Sequence, residues 1–325
     1  MTQIKNIGVF TSGGDAPGMN AAIRAVVRAA MYYGIEVTGI RRGYDGMGKG
    51  DFFTMNRKSV SNIIQRGGTI LKTARCDEFR TSEGRKAAYE HLVKNKVDAL
   101  VAIGGDGTFT GAKVFGSEYD IPVVGLPGTI DNDLVGTDFT IGYDTAINTV
   151  VDAVDKIRDT AESHDRLFIV EVMGRDSGLI ALRTGIATGA EAILIPESKT
   201  GLEGLLNRLE FGRKDKTSRI VIVAEGEDTG GAFEVGRLVQ EKFPNYDTRI
   251  SILGHIQRGG APSCMDRVLA SRVGAAAVEA LRDGHRNEMI GLINGEIAYT
   301  PFEHAIKHHQ GIDPNMIKLV EMLSM

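Results

Sequence analysis

The feature of this sequence that most constrains its fold is a regular alternation of short β-branched runs with longer segments of helical period. Such alternation is typical of βα units, in which helices connect parallel strands of one sheet. In the first part of the chain, strands are predicted at residues 7–11, 36–41, 97–103 and 121–126, and helices at 19–33, 59–66 and 107–119. The sequence therefore predicts an α/β fold.

A second series of the same kind begins beyond a long amphipathic segment. Residues 144–162 carry apolar side chains along one face, which predicts a helix long enough to connect two domains. Beyond it, strands are predicted at 167–173, 192–195, 220–224, 249–253 and 289–293, and helices at 177–188, 202–212, 231–243 and 266–282. A chain of 325 residues is longer than one typical domain, and no Pro- or Ser-rich linker divides it. We therefore expect two α/β domains that are discontinuous in sequence.

Composition restricts the classes of partner. The formal net charge is -4 and the basic residues are scattered, so we expect no nucleic-acid partner. Cys76 and Cys264 are too few for a disulfide framework and have no metal-ligand spacing, which favours a reducing cytoplasm. The N-terminal apolar run ends in Gly-Gly-Asp rather than a signal-peptide cleavage site, and no apolar stretch reaches transmembrane length. We therefore expect neither export nor membrane insertion.

Three polar loops each follow a predicted strand, and the carboxyl ends of strands are where open α/β sheets bind ligands. The loop TSGGDAPG, 11–18, enters a helix whose first amides favour an anion, although a plain tight turn fits it equally well. In the loop GGDGT, 104–108, glycines on both sides of Asp106 would let phosphate oxygens approach while the carboxylate binds their magnesium ion. The alternative is that Asp106 is the N-cap of the next helix.

The third loop, LPGTIDNDLVGTD, 126–138, brings Asp131, Asp133 and Asp138 close together in sequence. Neighbouring carboxylates repel unless each finds a donor, such as a cap, an Asx-turn or a basic side chain, and this structural explanation suits Asp138. For Asp131 and Asp133 the alternative is a metal ligand plus a general base able to take a proton from an attacking hydroxyl group. Pattern alone does not rank the two explanations.

Six motifs occur in the order and setting found in bacterial ATP-dependent 6-phosphofructokinases. They are GGDAPG (13–18), GGDGT (104–108), PGTIDND (127–133), EVMGR (171–175), VAEG (223–226) and LGHIQRGG (253–260). GGDGT is shared with other kinases, but the combination of PGTIDND, MGR and GHIQRGG is highly specific. The chain therefore resembles this family from Ile7 to about Pro301.

The resemblance implies two Rossmann-like, three-layer α/β/α domains with mainly parallel sheets, discontinuous in sequence. A larger ATP-binding domain would comprise residues 1–140 and about 256–305, and a smaller domain binding fructose 6-phosphate would comprise about 141–255 and 306–325. The implied reaction transfers the γ-phosphoryl group of ATP to the 1-hydroxyl of fructose 6-phosphate, giving fructose 1,6-bisphosphate and ADP, with Mg²⁺ as cofactor. The implied assembly is a cytoplasmic homotetramer.

Site residues follow from the positions that match the family's motifs. Asp131 matches the catalytic base and Asp106 the magnesium-linked carboxylate, while Thr129, Asp133 and Arg175 match supporting catalytic positions. Nucleotide contacts are implied for Gly13, Arg75, Cys76, Gly105, Asp106, Gly107 and Thr108. Substrate contacts are implied for Thr129, Ile130, Asp131, Met173, Gly174, Arg175, Glu225, His255, Ile256, Gln257 and Arg258.

Two further arginines, Arg166 and Arg249, match positions that bind the sugar phosphate from a neighbouring subunit in similar enzymes. A guanidinium group suits this task because it binds phosphate through two parallel hydrogen bonds. Without the resemblance, both arginines would be interpreted as solvated surface charges and His255 as a structural residue.

Two glycines bear on the phosphoryl donor. Pyrophosphate-dependent relatives tend to carry Asp after GGD and Lys after the proline of PGTIDND, whereas this chain has Gly107 and Gly128. Bulk and charge at those points would block the adenylate end of ATP, so we expect ATP as donor. The alternatives are a pyrophosphate-dependent enzyme and a catalytically silent nucleotide or metabolite sensor, which loss of Asp131 or Asp106 would have favoured.

A second anion site is implied where the bacterial enzymes bind an effector between subunits, ADP as activator or phosphoenolpyruvate as inhibitor. Arg24 and Arg28 lie one helical turn apart, and a solvated basic helix face is the alternative explanation. This chain departs from the family pattern at Asn62, Asp215 and Thr217. The implied effector residues are Arg24, Arg28, Arg57, Asn62, Arg158, Gly189, Glu191, Lys214 and Lys216.

Overall fold

A computed structural model describes residues 4–198, 201–212, 218–306 and 311–323. Its strands are β1 (Asn6–Thr11), β2 (Glu36–Ile40), β3 (Phe52–Met55), β4 (Ala99–Gly104), β5 (Val123–Pro127), β6 (Leu167–Val172), β7 (Ala192–Leu194), β8 (Arg219–Ala224), β9 (Thr248–Ile252), β10 (Glu288–Ile293) and β11 (Glu296–Pro301). Its α-helices are α1 (Met19–Tyr32), α2 (Gly43–Lys49), α3 (Ser82–Lys94), α4 (Asp106–Tyr119), α5 (Tyr143–Glu162), α6 (Leu179–Ala187), α7 (Gly201–Phe211), α8 (Gly231–Lys242), α9 (Cys264–Asp283), α10 (Phe302–Ala305) and α11 (Pro314–Leu323). Within these described ranges, no helix has the length and apolarity needed to cross a bilayer.

Internal contacts divide the chain into two compact units. The described residues within Met1–Ile130, Leu134–Thr145 and Arg258–His309 form the first unit, and those within Asp131–Asp133, Ala146–Gln257 and Gln310–Met325 form the second. Each unit contains its own sheet and its own apolar core. Both units are therefore assembled from segments that are distant in sequence.

The first unit is built on a seven-stranded sheet in the order β11-β10-β5-β4-β1-β2-β3. The central strands β1, β4 and β5 are parallel and wholly buried, because helices cover both faces of such a sheet and leave no polar face. The edge strands β3 and β11 run antiparallel to their neighbours. On one side of the sheet α1 packs so closely against α9 that a Cβ at Gly274 would lie 2.7 Å from the Cβ of Ala25.

The second unit has a four-stranded sheet in the order β7-β8-β6-β9, and all of its pairings are parallel. Its central strands, β6 and β8, are almost wholly buried and consist mainly of apolar residues. An apolar cluster against α7 and α8 includes Leu205, Leu209, Val235 and Val239. The predicted α/β class with mainly parallel sheets is confirmed.

One predicted element is wrong. Residues 59–66 form turns rather than a helix. The side-chain oxygen of Asn56 accepts hydrogen bonds from the backbone amides of Lys58 and Ser59, at 2.8 and 3.3 Å, and Asn62 has a left-handed φ of 55°. Side chains of this kind offer the backbone an alternative to helical hydrogen bonds, and one left-handed residue ends a helix.

Candidate active site

The three polar loops meet at one edge of the first sheet. Because β1, β4 and β5 are parallel neighbours, their carboxyl ends lie side by side. The amide of Ser12 donates to the carbonyl of Ile103 at 3.0 Å, and that of Gly128 donates to the carbonyl of Gly104 at 3.0 Å. Backbone hydrogen bonds therefore join each loop to the next.

Glycine is required where the first two loops touch. A Cβ at Gly104 would lie 2.3 Å from Oγ1 of Thr108 and 2.5 Å from the carbonyl oxygen of Ser12, distances that real Cβ atoms do not adopt. The same Thr108 hydroxyl donates to the Ser12 carbonyl at 3.1 Å. Gly13 has a left-handed φ of 83°, which a glycine adopts without strain. Thr108 thus holds the two loops together while remaining 3% exposed.

Asp106 is the first residue of α4, and Gly105 occupies the N-cap position with extended backbone. The sequence alternative that Asp106 is itself the N-cap is therefore not what the structure shows. A half-buried carboxylate in the first turn of a helix is favoured by the helix dipole. Carboxylate oxygen is also the type of ligand that Mg²⁺ prefers.

The two glycines that bear on the donor differ in surroundings. Gly107 is exposed, and nothing lies within 4 Å of a Cβ built on it, so a side chain there would project into open space. A Cβ on Gly128 would lie 3.1 Å from both Ile103 and Met19, so packing alone favours glycine at that position. The donor argument consequently rests mainly on Gly107.

Arg75 and Cys76 follow a segment that is fastened to the first loop. The hydroxyl of Thr73 donates to the carbonyl of Gly13 at 2.7 Å. Arg75 is exposed, and Cys76 is partly buried with its Sγ 3.8 Å from a carboxylate oxygen of Glu78. The nucleotide residues implied by the resemblance therefore lie around one set of loops in the first unit.

Cys76 also belongs to a small cluster that sequence spacing did not indicate. Ligand atoms of Asp45, Cys76 and Glu78 lie within 4.8 Å of one another. Lys49 forms an ion pair with Asp45 at 2.5 Å, and burial raises the pKa of the Cys76 thiol. The thiol is therefore held in the protonated form, which binds metal poorly.

The turn after β5 is buried along most of its length. Thr129, Asp131 and Asp133 are 8%, 7% and 9% exposed, and the intervening Asn132 has a left-handed φ of 52°. Asp138 has a structural contact, since its Oδ2 accepts a hydrogen bond at 2.7 Å from the backbone amide of residue 294 in the β10–β11 turn. The structural explanation for Asp138 is confirmed.

In the second unit, the parallel neighbours β8, β6 and β9 also end at one edge of their sheet. Met173, Gly174 and Arg175 follow β6, and Glu225 follows β8. A carboxylate oxygen of Glu225 accepts a hydrogen bond from the amide of Arg175 at 2.8 Å. Arg175 is exposed and has a left-handed φ of 56°. This contact fixes the backbone that carries the Arg175 side chain.

Gln257 holds the other end of the same loop. Its Oε1 accepts a hydrogen bond from the amide of Met173 at 2.9 Å, and the residue is 0% exposed. Within the described residues, its Nε2 is buried without a hydrogen-bond partner. A direct substrate contact was implied for Gln257, but the structure turns its carbonyl oxygen onto the Met173 backbone. His255 and Ile256, in the same 3₁₀ helix (Gly254–Arg258), are exposed.

Arg258 ends the same 3₁₀ helix and is the first residue of its motif that belongs to the first unit. Its Nη1 donates to the backbone carbonyl of Asp15 at 3.2 Å, and a Cβ on Gly14 would lie 2.7 Å from that same nitrogen. The structure thus places a cation implied for the sugar phosphate against the glycine-rich loop that follows β1.

Arg166 and Arg249 lie at the opposite edge of the second sheet. Arg166 precedes β6, and Arg249, the second residue of β9, pairs in register with Phe168. Six residues of β6 span about 20 Å. One copy of the second unit therefore does not bring these arginines together with Arg175 and Glu225.

The implied effector residues are divided between the units. In the first unit, burial and the nearby charge of Arg28 lower the pKa of Arg24. Arg57 and Asn62 are exposed. In the second unit, Arg158 donates to the carbonyl of residue 188 beside Gly189, and Glu191 is 8% exposed. Lys214 and Lys216, with the variant positions 215 and 217, lie outside the described residues.

By fold and by loop placement, this is a doubly wound α/β protein with polar, glycine-rich loops at the carboxyl edges of its sheets, the position at which proteins of this class bind ligands. The family model described as Phosphofructokinase matches residues 6–281. The chain belongs to the phosphofructokinase family. Its relatives include ATP-dependent 6-phosphofructokinase 2 of Bacteroides thetaiotaomicron, 57% identical over 325 residues and 100% of both chains. ATP-dependent 6-phosphofructokinase 1 of Thermus thermophilus is 54% identical over 99% of this chain and 100% of its own.

Solved structures agree with this family. Phosphofructokinase from Saccharomyces cerevisiae matches with a TM-score of 0.83 and 36% identity over 98% of this chain. The match covers 46% of the yeast chain, so this protein spans about half the length of that relative. A pyrophosphate-dependent phosphofructokinase from Marinobacter aquaeolei matches with a TM-score of 0.86 over 98% of this chain and 91% of its own. At 22% identity it supports the shared fold alone.

Proposed function

We propose that this protein is an ATP-dependent 6-phosphofructokinase, a phosphotransferase that converts fructose 6-phosphate and ATP to fructose 1,6-bisphosphate and ADP in glycolysis. The observation that carries the proposal is full-length identity of 57% and 54% to relatives named for this activity. The arrangement of the loops supports it, because phosphoryl transfer depends mainly on positioning and on neutralising charge.

Nucleotide binding belongs to the joined loops of the first unit. The amino end of α4 and the glycines before it would receive the phosphate groups, because first-turn amides of a helix have no intrahelical acceptor. Asp106 fits a magnesium ion bound jointly by one carboxylate and the nucleotide's phosphates. When bound, Mg²⁺ would neutralise phosphate charge. Arg75 and Cys76 complete the nucleotide contacts in this proposal.

Asp131 is proposed as the general base. It would accept the proton of the sugar's 1-hydroxyl as that oxygen attacks, a role worth about 10²- to 10⁴-fold in rate. Asp133 supports it, Thr129 orients the substrates, and Arg175 supplies positive charge for the transferred group. The burial of the turn supports these roles, because little water would compete for the proton.

Sugar-phosphate binding belongs to the second unit. Met173, Gly174, Glu225 and His255 would contact the sugar at the carboxyl edge of the sheet. Since Arg166 and Arg249 lie at the opposite edge, they would serve the site of another copy of the chain. Sites completed by a second subunit agree with the proposed homotetramer. The free cysteines agree with a cytoplasmic location.

Regulation by ADP or phosphoenolpyruvate is part of the same proposal. Arg24 and Arg28 lie one helical turn apart on α1 and are close enough for the charge of Arg28 to lower the pKa of Arg24, which supports an anion site there. Asn62 tolerates its left-handed conformation as well as the expected Asp would, so the backbone there does not require the carboxylate.

A coupled assay with fructose 6-phosphate tests the proposal. We expect turnover with ATP and not with pyrophosphate. For Asp131→Asn we expect kcat to decrease about 10²- to 10⁴-fold with little change in KM. The matched control Asp138→Asn should keep nearly normal turnover. Turnover only with pyrophosphate would contradict ATP as the phosphoryl donor. Absence of turnover would favour a catalytically silent sensor. A normal kcat for Asp131→Asn would refute Asp131 as the general base. Repeating the assay with ADP and with phosphoenolpyruvate tests the effector site.

A further inference from the structure

Arg166 and Arg249 share one counterion that no motif included. Nε of Arg166 lies 2.7 Å from Oδ2 of Asp247, and Nη2 of Arg249 lies 2.9 Å from Oδ1 and 3.2 Å from Oδ2 of the same carboxylate. The two arginines also lower the pKa of Asp247, so the pair of contacts is charge-assisted at neutral pH. One carboxylate thus connects both guanidinium groups.

The backbone explains why these three side chains meet. β6 and β9 are parallel neighbours, with Leu167 opposite Thr248 and Phe168 opposite Arg249. The amide of Leu167 also donates to the carbonyl of Asp247 at 3.2 Å. Strand pairing therefore brings Arg166, Asp247 and Arg249 to the same edge of the sheet, where the two guanidinium groups would otherwise repel each other.

We propose that Asp247 is a positioning residue for sugar-phosphate binding, which holds Arg166 and Arg249 in the arrangement that receives the phosphate group. This inference rests on the proposed function. Asp247 does not touch the substrate, because a carboxylate repels a phosphate. It contacts Nε of Arg166 and Nη2 of Arg249. The other N–H groups of each guanidinium group therefore remain available to donate hydrogen bonds to an anion.

Two effects of Asp247 on affinity oppose each other. Its negative charge repels the phosphate, but the carboxylate is exposed, with 43% of its side chain accessible, and solvent and salt screen that repulsion. Its hydrogen bonds order two long side chains before the ligand arrives, and such preorganisation removes part of the entropic cost of binding. The ordering effect is the larger one in this proposal, so removing Asp247 weakens binding.

Steady-state kinetics of the full-length enzyme test the proposal. For Asp247→Asn we expect the KM for fructose 6-phosphate to rise about tenfold, as for loss of a hydrogen bond to a charged group, with the KM for ATP and kcat within about twofold. Asp247→Glu keeps both acceptor oxygens and should restore most of the affinity. An unchanged or lower KM for fructose 6-phosphate in Asp247→Asn overturns the proposal.

A matched control exists in the first unit. Asp51 also lies between two arginines, 3.0 Å from Arg41 and 3.4 Å from Arg42, so Asp51→Asn removes the same charge from the same type of cluster. We expect its KM values to match those of the wild type. A similar rise in this variant would mean that loss of net charge, rather than positioning, is responsible.

A double-mutant cycle separates action through the arginines from a general structural effect. In an Arg249→Ala background, the added effect of Asp247→Asn on the KM for fructose 6-phosphate should shrink to about twofold or less, because one of its partners is gone. Independent, multiplicative effects would contradict positioning. Failure of the proposed function is a separate outcome, since the wild-type enzyme would then show no turnover of fructose 6-phosphate with ATP.

Discussion

At the residue scale, the loop after β6 is held in an uncommon backbone conformation. Gly174 has a φ of 150°, and Arg175 adopts a left-handed φ of 56° that few non-glycine residues take. A Cβ on Gly226 would lie 2.0 Å from the carbonyl oxygen of Arg175, so the neighbouring loop must present glycine there. Strained backbone at a proposed substrate site is maintained by surrounding contacts, here with Glu225 and Gln257.

Replacing Gln257 tests whether the loop after β6 needs the hydrogen bond that Gln257 accepts from it. Gln257→Met keeps the length of the side chain but leaves the Met173 amide without its acceptor. We expect the KM for fructose 6-phosphate to rise several-fold at constant KM for ATP, and the free energy of unfolding to fall by about 1–3 kcal/mol. Kinetics and urea unfolding measure the two effects. The control Gln240→Met, at an exposed position in the same unit, should alter neither quantity. A wild-type KM for Gln257→Met would show that the hydrogen bond from the Met173 amide is dispensable.

Sequence motifs could identify the residue types of the site but not the partners of each side chain. Gln257 and Met173 are 84 positions apart, and only strand order brings them together. The cluster of Asp45, Cys76 and Glu78 was missed for the same reason. The hydrogen bond from Arg258 to the backbone carbonyl of Asp15 is likewise a tertiary contact that spacing does not encode.

At the element scale, one helix supplies the cap of another. Asp266 of α9 caps the amino end of α5. Its Oδ1 accepts a hydrogen bond from the amide of Gly142 at 2.7 Å, and its Oδ2 accepts one from the amide of Thr145 at 2.8 Å. Asp266 is 1% exposed. A buried carboxylate that satisfies first-turn amides also complements the helix dipole. The start of α5 is therefore fixed by a residue more than a hundred positions later.

Removing this cap should destabilise the protein. For Asp266→Ala we expect the free energy of unfolding to fall by about 3 kcal/mol, because two buried amides lose charged acceptors. Asp283→Ala, at the exposed end of the same helix, should change it by less than about 0.5 kcal/mol. Urea unfolding followed by circular dichroism measures both variants. Equal stabilities would contradict the capping role.

Short and irregular elements were the least predictable from sequence. The helix α2 contains Gly43, Gly46 and Gly48, which disfavour a helix, yet a Cβ on Gly46 would lie 1.7 Å from the carbonyl oxygen of Arg41. Close packing, rather than propensity, therefore selects glycine there. The sequence Asn294-Gly295 between β10 and β11 is typical of a two-residue hairpin turn. Its left-handed φ values of 52° and 82° match such a turn. The buried central strands and most of the long helices were predicted because periodicity is strongest in them. The helix α3 was not predicted, because it buries only Ala88 and Leu92 and its apolar pattern is weak.

At the scale of the whole molecule, the proposed substrate residues of one chain lie at two opposite edges of the second sheet. Arg175 and Glu225 belong to the carboxyl edge, and Arg166 and Arg249 to the amino edge. A complete proposed site therefore requires two copies of the chain, which sequence periodicity does not reveal and only the family likeness implied.

Hybrid oligomers test this requirement. Asp131→Asn and Arg249→Ala should each impair the enzyme, but after dissociation and reassociation together, some sites should combine a normal Asp131 with a normal Arg249 from different chains. We expect the mixture to exceed both parents in activity at low fructose 6-phosphate. The matched control mixes Asp131→Asn with His255→Ala, two changes assigned to the same chain's half of a site, and should show no gain. Absence of gain in the first mixture would argue against sites shared between chains.

The interleaved segments of the first unit also have a consequence for biosynthesis. β5 ends at Pro127, but β10, which pairs beside it, ends at Ile293, and α9 of the same late segment covers α1. At ribosomal rates of about 5–20 residues per second, roughly 10–30 s would pass between the two strands. During that interval the backbone N–H and C=O groups on one side of β5 have no neighbouring strand and could pair with another chain. The nascent chain would thus depend on chaperone protection most acutely while its second unit is being made.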